Sequence, residues 1–584
     1  MSSNTFCIFK HNINPYVEGH NIFSDIYANT EILKYKSHFI VMIGDIYNIK
    51  DIKKKFYIES DVAEEIILEL YFKVGAKIPN YLKGIFAIVI INSEKIVLFR
   101  DYFSCASIYF YINDLKNEFI ITNKIVEIKR FMNLKVNTEI LPRFFVRSSL
   151  SAEDTFFEKI KSLKFAEFLE LSINENKLTS IPYDDSFYKE IRNDQLKDSV
   201  IMNKSEDIIL RNLKGILDYY RDCDVINSLS GGVDSSYLQI LLKKLGFNKA
   251  YTYSHEIIGI RNQEYSKDIS KYLGIEHNIV ELKSDCILDN IKKGILICEI
   301  PYVFEGEFLQ NYMYNQISKK EGKDILITCG SGCDTVFAFQ RAFFELKYLT
   351  NPIFLSIFNV VNESLFKIFD KEKYIVYKTI IRKLRNNKLD EELLYVLFDR
   401  KVNLEIIKKA FNLDDIFKIY SSDIEMISRF ETNFIEKIER WRYDFEIQRE
   451  NYVSNLLSKY YELKVCFPYV NKELLFYLFS IPIAKKVRRL TQKYYIKKLL
   501  SRYLPSKLVY RIKIRAGTKN FLYFFNDDKI SKIIKNIKNT KYPYFNFDYE
   551  EIFSDEKYYF IAIKLINFYV WHKIFIENMD IKDI

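Results

Sequence analysis

Much of what this chain is follows from what it lacks. Only 16 of its 584 residues are glycine and 10 are proline, while Tyr, Phe, Ile, Lys and Asn are used heavily. That bias reads as the codon usage of an AT-rich bacterial genome and carries no functional message. No apolar run comes near the ~20 residues a membrane span requires; the longest, such as Ile85–Ile91, are far shorter. Met1 to Lys10 has no basic segment followed by a long apolar core, so it does not read as a signal peptide. A cytoplasmic protein with no membrane span is expected. There are only six His, no two of them close enough for a metal-ligand signature, and eight Cys with no CxxC pair. Zinc-hydrolase chemistry is therefore excluded, and the cysteines are expected to be buried free thiols of a reducing compartment. The formal charge is +10, yet no block of five or more Lys/Arg occurs and no basic stripe interleaves with aromatics, so nucleic acid is not an expected partner.

What is present is an ordinary globular composition, 48% hydrophobic and 28% charged, on a chain too long for one core. Residues 1–185 read as short β-rich runs, Phe39–Met42, Gly84–Ile91 and Ile96–Phe99, with one helical spacing (Val62, Ile66, Leu70) over Asp61–Lys73. This predicts an α+β domain of layered sheets. A polar, acidic stretch, Tyr183–Gln195, serves as linker. From about residue 200, helical segments alternate with the short apolar strands Val225–Leu229, Ala250–Tyr253 and Ile325–Thr328. Such alternation predicts an α/β, doubly wound parallel sheet. Beyond about 340 the chain reads as mostly helix, so residues 200–584 form the second domain, with a helical C-terminal part.

The strongest chemical signal runs from Val225 to Tyr237. The strand Val225-Ile226-Asn227-Ser228-Leu229 leads into Ser230-Gly231-Gly232-Val233-Asp234-Ser235-Ser236, then into a helix carrying Leu238, Leu241 and Leu242. Two glycines let backbone approach a phosphate without Cβ obstruction. The helix N-terminus offers unpaired N–H groups and the positive end of its dipole to the same anion. Ser230, Ser235 and Ser236 add hydroxyls. Asp234 repels a phosphate unless it holds a Mg²⁺ that bridges to it. The loop lacks the lysine of the GxxxxGK[ST] phosphate loop.

This segment resembles the SGGxDSS pyrophosphate loop of the N-type ATP pyrophosphatases. Further segments follow in order. They are Asn262-Gln263-Glu264-Tyr265 with a helix ending Tyr272-Leu273-Gly274-Ile275-Glu276-His277, Cys329 to Phe337, Phe467-Pro468-Tyr469-Val470-Asn471, and Leu504-Pro505 followed by Arg511-Ile512-Lys513. In that order and spacing they resemble the synthetase domain of the asparagine synthetase superfamily. In the first third, Gly44-Asp45-Ile46-Tyr47-Asn48, Leu82-Lys83-Gly84-Ile85-Phe86-Ala87 and Arg100-Asp101 are similar to its glutaminase-like, Ntn-type domain. The resemblance implies ATP and Mg²⁺ as cofactors. It implies that Asp234 and Asp334 hold Mg²⁺, at the ends of adjacent parallel strands. It implies that Leu229, Tyr253, Cys329 and Gly330 wrap adenine and ribose with backbone, and that Lys513 neutralises charge on the α-phosphate and departing pyrophosphate.

Two departures from the family pattern carry information. Glutamine-dependent members use an N-terminal Cys as nucleophile; here residue 2 is Ser and the first Cys is Cys7. The oxyanion-hole Asn expected before Gly44 is Ile43, and no Arg-Gly-Pro-Asp clamp lies between Pro15 and Ser37. A degenerate class II glutamine amidotransferase-like domain is expected, with Cys7 as an ordinary strand residue. The second departure lies in the glycine loop. Where asparagine synthetases have Glu, Gly, Ala, Asp, Glu, this chain has Ser331, Gly332, Cys333, Asp334 and Thr335. The lost Glu sits by the attacking amine, and Ser331 is a weak base in its place.

Activation retained with a changed acceptor points to ATP-dependent, AMP-forming amide synthesis through an acyl-adenylate. The loop Gly330 to Phe337 most resembles that of the lasso-peptide macrolactam cyclases. These join an Asp or Glu side chain of a ribosomal precursor peptide to its own N-terminal amine. That resemblance implies the precursor or core peptide as substrate, with a leader peptidase and a leader-binding protein as partners. Three alternatives stand beside it: an amidotransferase using free ammonia or a small amine, a β-lactam synthetase-like cyclase, and an inactive peptide-binding scaffold. The scaffold stays open because Ser331 and Thr335 replace two acids.

Overall fold

The computed structural model describes residues 5–10, 20–23, 26–28, 32–301, 305–337, 378–511 and 527–584, apart from a few short stretches inside those ranges such as 148–152, 185–188 and 489–490. Its N-terminal third contains two antiparallel six-stranded sheets. The first has the order β10-β8-β9-β1-β3-β2. Its strands are β1 (Cys7–Lys10), β2 (His20–Phe23), β3 (Ile26–Ala28), β8 (Tyr109–Asn113), β9 (Glu118–Thr122) and β10 (Lys161–Ser162). The second has the order β12-β11-β7-β6-β5-β4. It is built from β4 (Leu33–Tyr35), β5 (His38–Ile46), β6 (Gly84–Ile91), β7 (Lys95–Arg100), β11 (Glu167–Ser172) and β12 (Lys177–Pro182).

The sequence explains the centre of this unit. β6 is an unbroken apolar run after its first glycine and is buried from Ile85 to Ile91, as a strand covered on both faces must be. It pairs in register with β5, from Phe39 opposite Ile91 to Ile46 opposite Gly84. The expected helix over Asp61–Lys73 is Ala63–Val74. Two further helices, Ile49–Phe56 and Leu141–Val146, were not legible in the sequence.

The second unit is an all-parallel five-stranded sheet, order β15-β14-β13-β16-β17. Its strands are β13 (Asp224–Ser228), β14 (Lys249–His255), β15 (Glu276–Leu282), β16 (Ile325–Thr328) and β17 (Lys464–Cys466). The three strands expected from sequence are β13, β14 and β16. Two differences stand out. The helix expected to run through His277 stops at Leu273, and Glu276 and His277 open β15 instead. β17 arrives from far along the chain in a region read as helical. It is three residues long, too short for periodicity to distinguish it. Downstream, the described residues are mostly helical, as expected for the chain beyond about 340. The 27-residue helix Phe434–Tyr460 starts where the Asn433 side chain accepts hydrogen bonds from the N–H groups of Ile435 and Glu436. The final helix, Tyr559–Phe575, is buried along most of its length.

The two units share one continuous core and are joined by polar contacts as well. The Glu299 carboxylate accepts from the N–H groups of Ile125 (2.8 Å) and Val126 (2.9 Å), capping a short helix of the first unit. Asn455 Nδ2 donates to the Cys105 carbonyl at 2.9 Å. Asp423 takes Arg143 at 2.7 Å and Arg147 at 2.6 Å, all three buried. No helix among the described residues is long and apolar enough to cross a membrane.

Candidate active site

The site forms where β13 and β16, hydrogen-bonded neighbours in parallel register from Asp224 opposite Ile325 to Asn227 opposite Thr328, deliver their C-terminal ends side by side. Ligands of open parallel sheets bind at such strand ends. A buried side-chain lattice fixes the two turns. Thr328 Oγ1 donates to Asn227 Oδ1 at 3.1 Å, and Asn227 Nδ2 donates to Gln239 Oε1 at 3.0 Å and the Ser235 carbonyl at 3.1 Å.

After β13 the chain turns through Ser230 to Gly232 into the helix Val233–Lys244. Gly231 has φ +69°, and a Cβ there would lie 2.6 Å from backbone atoms of Tyr265 and Ser266, so only glycine fits. Across the turn, a Cβ on Gly330 would lie 3.2 Å from the Ser235 nitrogen, which shows how closely the two glycine loops approach. Ser235 Oγ takes the Ser230 N–H at 3.1 Å and also meets the Ser230 hydroxyl. Ser230 stays half-buried. Ser235 and Ser236 are buried, so the three hydroxyls do not present equally to the loop's mouth.

Asp234, on the first turn of that helix, and Asp334, on the short helix Cys333–Val336 after β16, meet at one cation. The Lys493 ammonium lies 2.5 Å from Asp234 Oδ2 and also pairs with Asp334 Oδ1. Lys493 is only 6% exposed. It sits with φ +55°, the left-handed region that costs a side-chain-bearing residue on the order of 1 kcal/mol or more, just before the helix Tyr494–Leu500. Tyr469, fully buried, donates its hydroxyl to the Asp234 carbonyl at 2.8 Å. Burial, with Asp234 nearby, pushes the Cys333 thiol up; burial pushes the Cys329 thiol up to about 11. Both cysteines are thus neutral thiols in this loop.

The residues present fit Mg²⁺. One ammonium reaches both carboxylates, so their oxygens lie close enough to share a single cation. Mg²⁺ typically takes one or two protein carboxylates and completes its shell with phosphates and water. Among the described residues no group of three or more His, Cys, Asp or Glu able to hold a metal occurs.

The remaining expected residues divide. Cys329 and Gly330 lie on the second glycine loop, with the Cys329 N–H bonded to the Cys466 carbonyl at 3.0 Å, which explains why the short β17 matters. Tyr253 is half-buried on β14. Leu229 is fully buried. Its N–H donates to the Tyr251 carbonyl at 2.8 Å and its own carbonyl accepts from Thr252 Oγ1, so both backbone groups are engaged within the sheet. Lys513 lies outside the described residues. Arg511, two positions earlier, does reach the first loop. Its Nη2 donates to the Gly231 carbonyl at 2.7 Å and the Tyr265 carbonyl at 3.1 Å, and its guanidinium stacks 4.0 Å from the Tyr265 ring centroid. Ser331 donates to Glu450 Oε2 at 3.1 Å. Sequence reasoning missed Lys493 and Glu450. Neither stands in a recognisable pattern; only the fold brings them to the loops.

At the other unit, Cys7 is the first residue of β1, 1% exposed, and burial pushes its thiol well above the ordinary range. Phe6 precedes it, also buried, with its N–H on Asn123 Oδ1 at 2.9 Å and its carbonyl accepting from Thr122 Oγ1 at 2.6 Å. Cys7 is a strand residue, as expected. Of the eight cysteines none forms a disulfide; five are buried, while Cys223, Cys286 and Cys329 are only half-buried, contrary to the expectation that all are buried.

A parallel sheet with a glycine turn feeding a helix N-terminus, a second glycine loop beside it and two carboxylates gathered at the strand ends defines an N-type ATP pyrophosphatase domain. The asparagine synthase profile matches residues 221–555, more than half of the chain, and a glutamine amidotransferase domain profile matches residues 31–184. The chain belongs to the asparagine synthase family, a family of ATP-dependent ligases. Glutamine-hydrolyzing asparagine synthetase 1 of Bacillus subtilis is 21% identical over 593 aligned positions, spanning 95% of this chain and 88% of that protein. A provisionally named glutamine-hydrolyzing asparagine synthetase 2 of Methanocaldococcus jannaschii is 24% identical over 336 residues, which cover 55% of this chain and 62% of the relative's length. Among solved structures, the glutamine phosphoribosylpyrophosphate amidotransferase of B. subtilis, complexed with ADP and GMP, aligns over 56% of this chain and 75% of its own at 9% identity. Its TM-score is 0.22, too slight a likeness to bear on the fold.

Proposed function

We propose that this chain is an ATP-dependent, AMP-forming carbon–nitrogen ligase whose acceptor amine comes from outside its own N-terminal unit. In this reading a substrate carboxylate attacks the ATP α-phosphate. Pyrophosphate leaves over the loop Ser230 to Ser236, and an amine then displaces AMP from the acyl-adenylate. Asp234 and Asp334 would hold the Mg²⁺, which supplies charge neutralisation on the phosphates when bound. Lys493 brings a fixed cation to the same place, and Arg511 anchors the segment leading to Lys513 against the first loop.

The observation that carries the reading is Cys7. A glutaminase nucleophile of this kind needs a free α-amine on the cysteine and a reachable thiol. Cys7 instead sits in mid-chain at the start of a buried strand, with Phe6 bonded in place before it. The position before Gly44 is Ile43, with no side-chain amide to donate to an oxyanion. These features support an amine that is not ammonia released within the chain.

The finer reading is intramolecular closure of a ribosomal precursor peptide, a side-chain carboxylate joined to the peptide's N-terminal amine. The Ser331 loop, short of the acid found where ammonia is the acceptor, supports it. A leader peptidase and a leader-binding protein would then supply the substrate. Holding amine and acyl group together can supply roughly 7–11 kcal/mol of the barrier. The second reading, amidation of a small carboxylate with free ammonia, is supported by the asparagine synthetase names of the relatives. Mass spectrometry of incubations with ATP and Mg²⁺ separates them. AMP together with a peptide lighter by one water favours closure. AMP with amidated aspartate and ammonium chloride favours the second. No AMP with either would overturn the ligase assignment.

A further inference from the structure

The peptide unit between Leu229 and Ser230 is where the chain leaves the sheet for the first glycine loop. Side chains fix it on both sides. Its carbonyl, that of Leu229, accepts from the Thr252 hydroxyl. Its N–H, that of Ser230, donates to Ser235 Oγ at 3.1 Å. Turning this one peptide plane would carry Ser230 to Gly232 with it, and with them the N–H groups that an anion at the helix N-terminus meets.

Thr252 is itself held from the next strand. His277 Nε2 lies 2.8 Å from Thr252 Oγ1. Thr252, on β14, is 3% exposed. His277 is half-buried on β15, the edge strand, where it pairs with Ala250. Counting hydrogens gives the contact its direction. A carbonyl only accepts, so the single hydroxyl hydrogen of Thr252 lies toward Leu229. The His277 nitrogen must then donate. Burial and the charge of Lys267 hold the imidazole below its ordinary pKa. Near neutral pH the ring therefore carries one N–H, and the network assigns it to Nε2. A relay runs from His277 to Thr252 to Leu229, from the edge strand across β14 to the end of β13.

We infer that His277 is a positioning residue for the phosphate loop: through Thr252 it fixes the Leu229–Ser230 peptide, and so the N–H groups offered to the β- and γ-phosphates of ATP. This rests on the ligase reading above. His277 acts at one remove, because Thr252 stands between it and the loop. The segment Tyr272 to His277, which entered the sequence reading only by its order and spacing, thereby gains a task.

Isothermal titration calorimetry of the full-length protein with MgATP and with AMP tests this, because AMP has no β- or γ-phosphate. His277→Leu removes the donor. It should weaken MgATP binding about fivefold to tenfold, the range set by one neutral hydrogen bond, and leave AMP binding within about twofold of wild type. His277→Gln, whose amide places an N–H near the Nε2 position, should restore most of the affinity. Thr252→Val should lose about as much as His277→Leu. The double variant should lose no more than either, since two residues acting in series do not add. Should Thr252→Val fail to fold, His277→Leu against His277→Gln carries the test, and equal loss in both would overturn the inference. Equal loss of AMP and MgATP binding, additive losses in the double variant, or wild-type MgATP binding by His277→Leu would each overturn it and leave the ligase reading standing. Failure of the wild-type protein to bind MgATP would bring down the ligase reading, and the role of His277 with it.

Discussion

The ammonium of Lys493 lies 2.5 Å from the carboxylate of Asp234, a residue 259 positions earlier in the chain, and pairs at the same time with Asp334. Three distant segments thus converge on one charge cluster at the ends of β13 and β16. Taking away the lysine would leave two carboxylates facing each other. Lys493→Met should therefore lose about 2–3 kcal/mol of stability, less than the ~3–5 kcal/mol for breaking a fully buried pair, because Asp334 is 45% exposed. Adding MgCl₂ should recover much of the loss. Thermal melts with and without the metal test both halves; an unchanged melting temperature would show that the cluster contributes nothing.

Cys7 should be dispensable. Its burial keeps the thiol protonated, and the thiolate is the reactive form. Iodoacetamide should leave Cys7 unlabelled in the native protein and label it after denaturation, read by peptide mass spectrometry. Cys7→Ala should cost about 1 kcal/mol through the small cavity it leaves and should not change AMP formation with an added amine.

Asp423 joins the two units through buried polar contacts. Its carboxylate holds Arg143, Arg147 and the Trp441 indole N–H at 3.0 Å. Asp423→Ala removes the carboxylate that two buried guanidiniums share and should lower stability by about 3 kcal/mol, seen as a shifted urea midpoint. A loss below about 1 kcal/mol would mean that Asp399, 3.3 Å from Arg147, carries the load alone.

Lys564 gives a pH signature. It is 2% exposed, donates to the carbonyls of Phe145 and Arg147 at 3.0 Å each, and burial lowers its pKa to about 7. Between that value and the ordinary lysine range the unfolded chain binds a proton that the folded chain does not. Stability therefore rises with pH across this window, by on the order of 1 kcal/mol per pH unit from this group. Lys564→Met should flatten the slope between pH 7.5 and 9.5 in urea titrations; an unchanged slope would refute the assignment.

The local part of all this is written in the sequence. Apolar runs such as Gly84–Ile91 and Ile325–Thr328 read as strands because they are short, unbroken and rich in β-branched residues, which suits a buried strand. The turn at Gly231 could be read because close backbone approach demands the absence of a side chain. The departures from the glutaminase pattern were legible as Ser2 and Ile43, which are simple residue identities. What the sequence could not supply is whatever depends on distant segments meeting. β17 is three residues in a helical region, and its place beside β16 is fixed only when Cys466 accepts the Cys329 N–H. Lys493 is one lysine among many until the fold sets it between two aspartates. Glu450 is one exposed acid on a long helix until that helix packs against the glycine loop. Chain-local chemistry has a period or a spacing and can be read along the chain; charge pairing and hydrogen bonding between distant segments depend on separation in space, which only the tertiary fold sets.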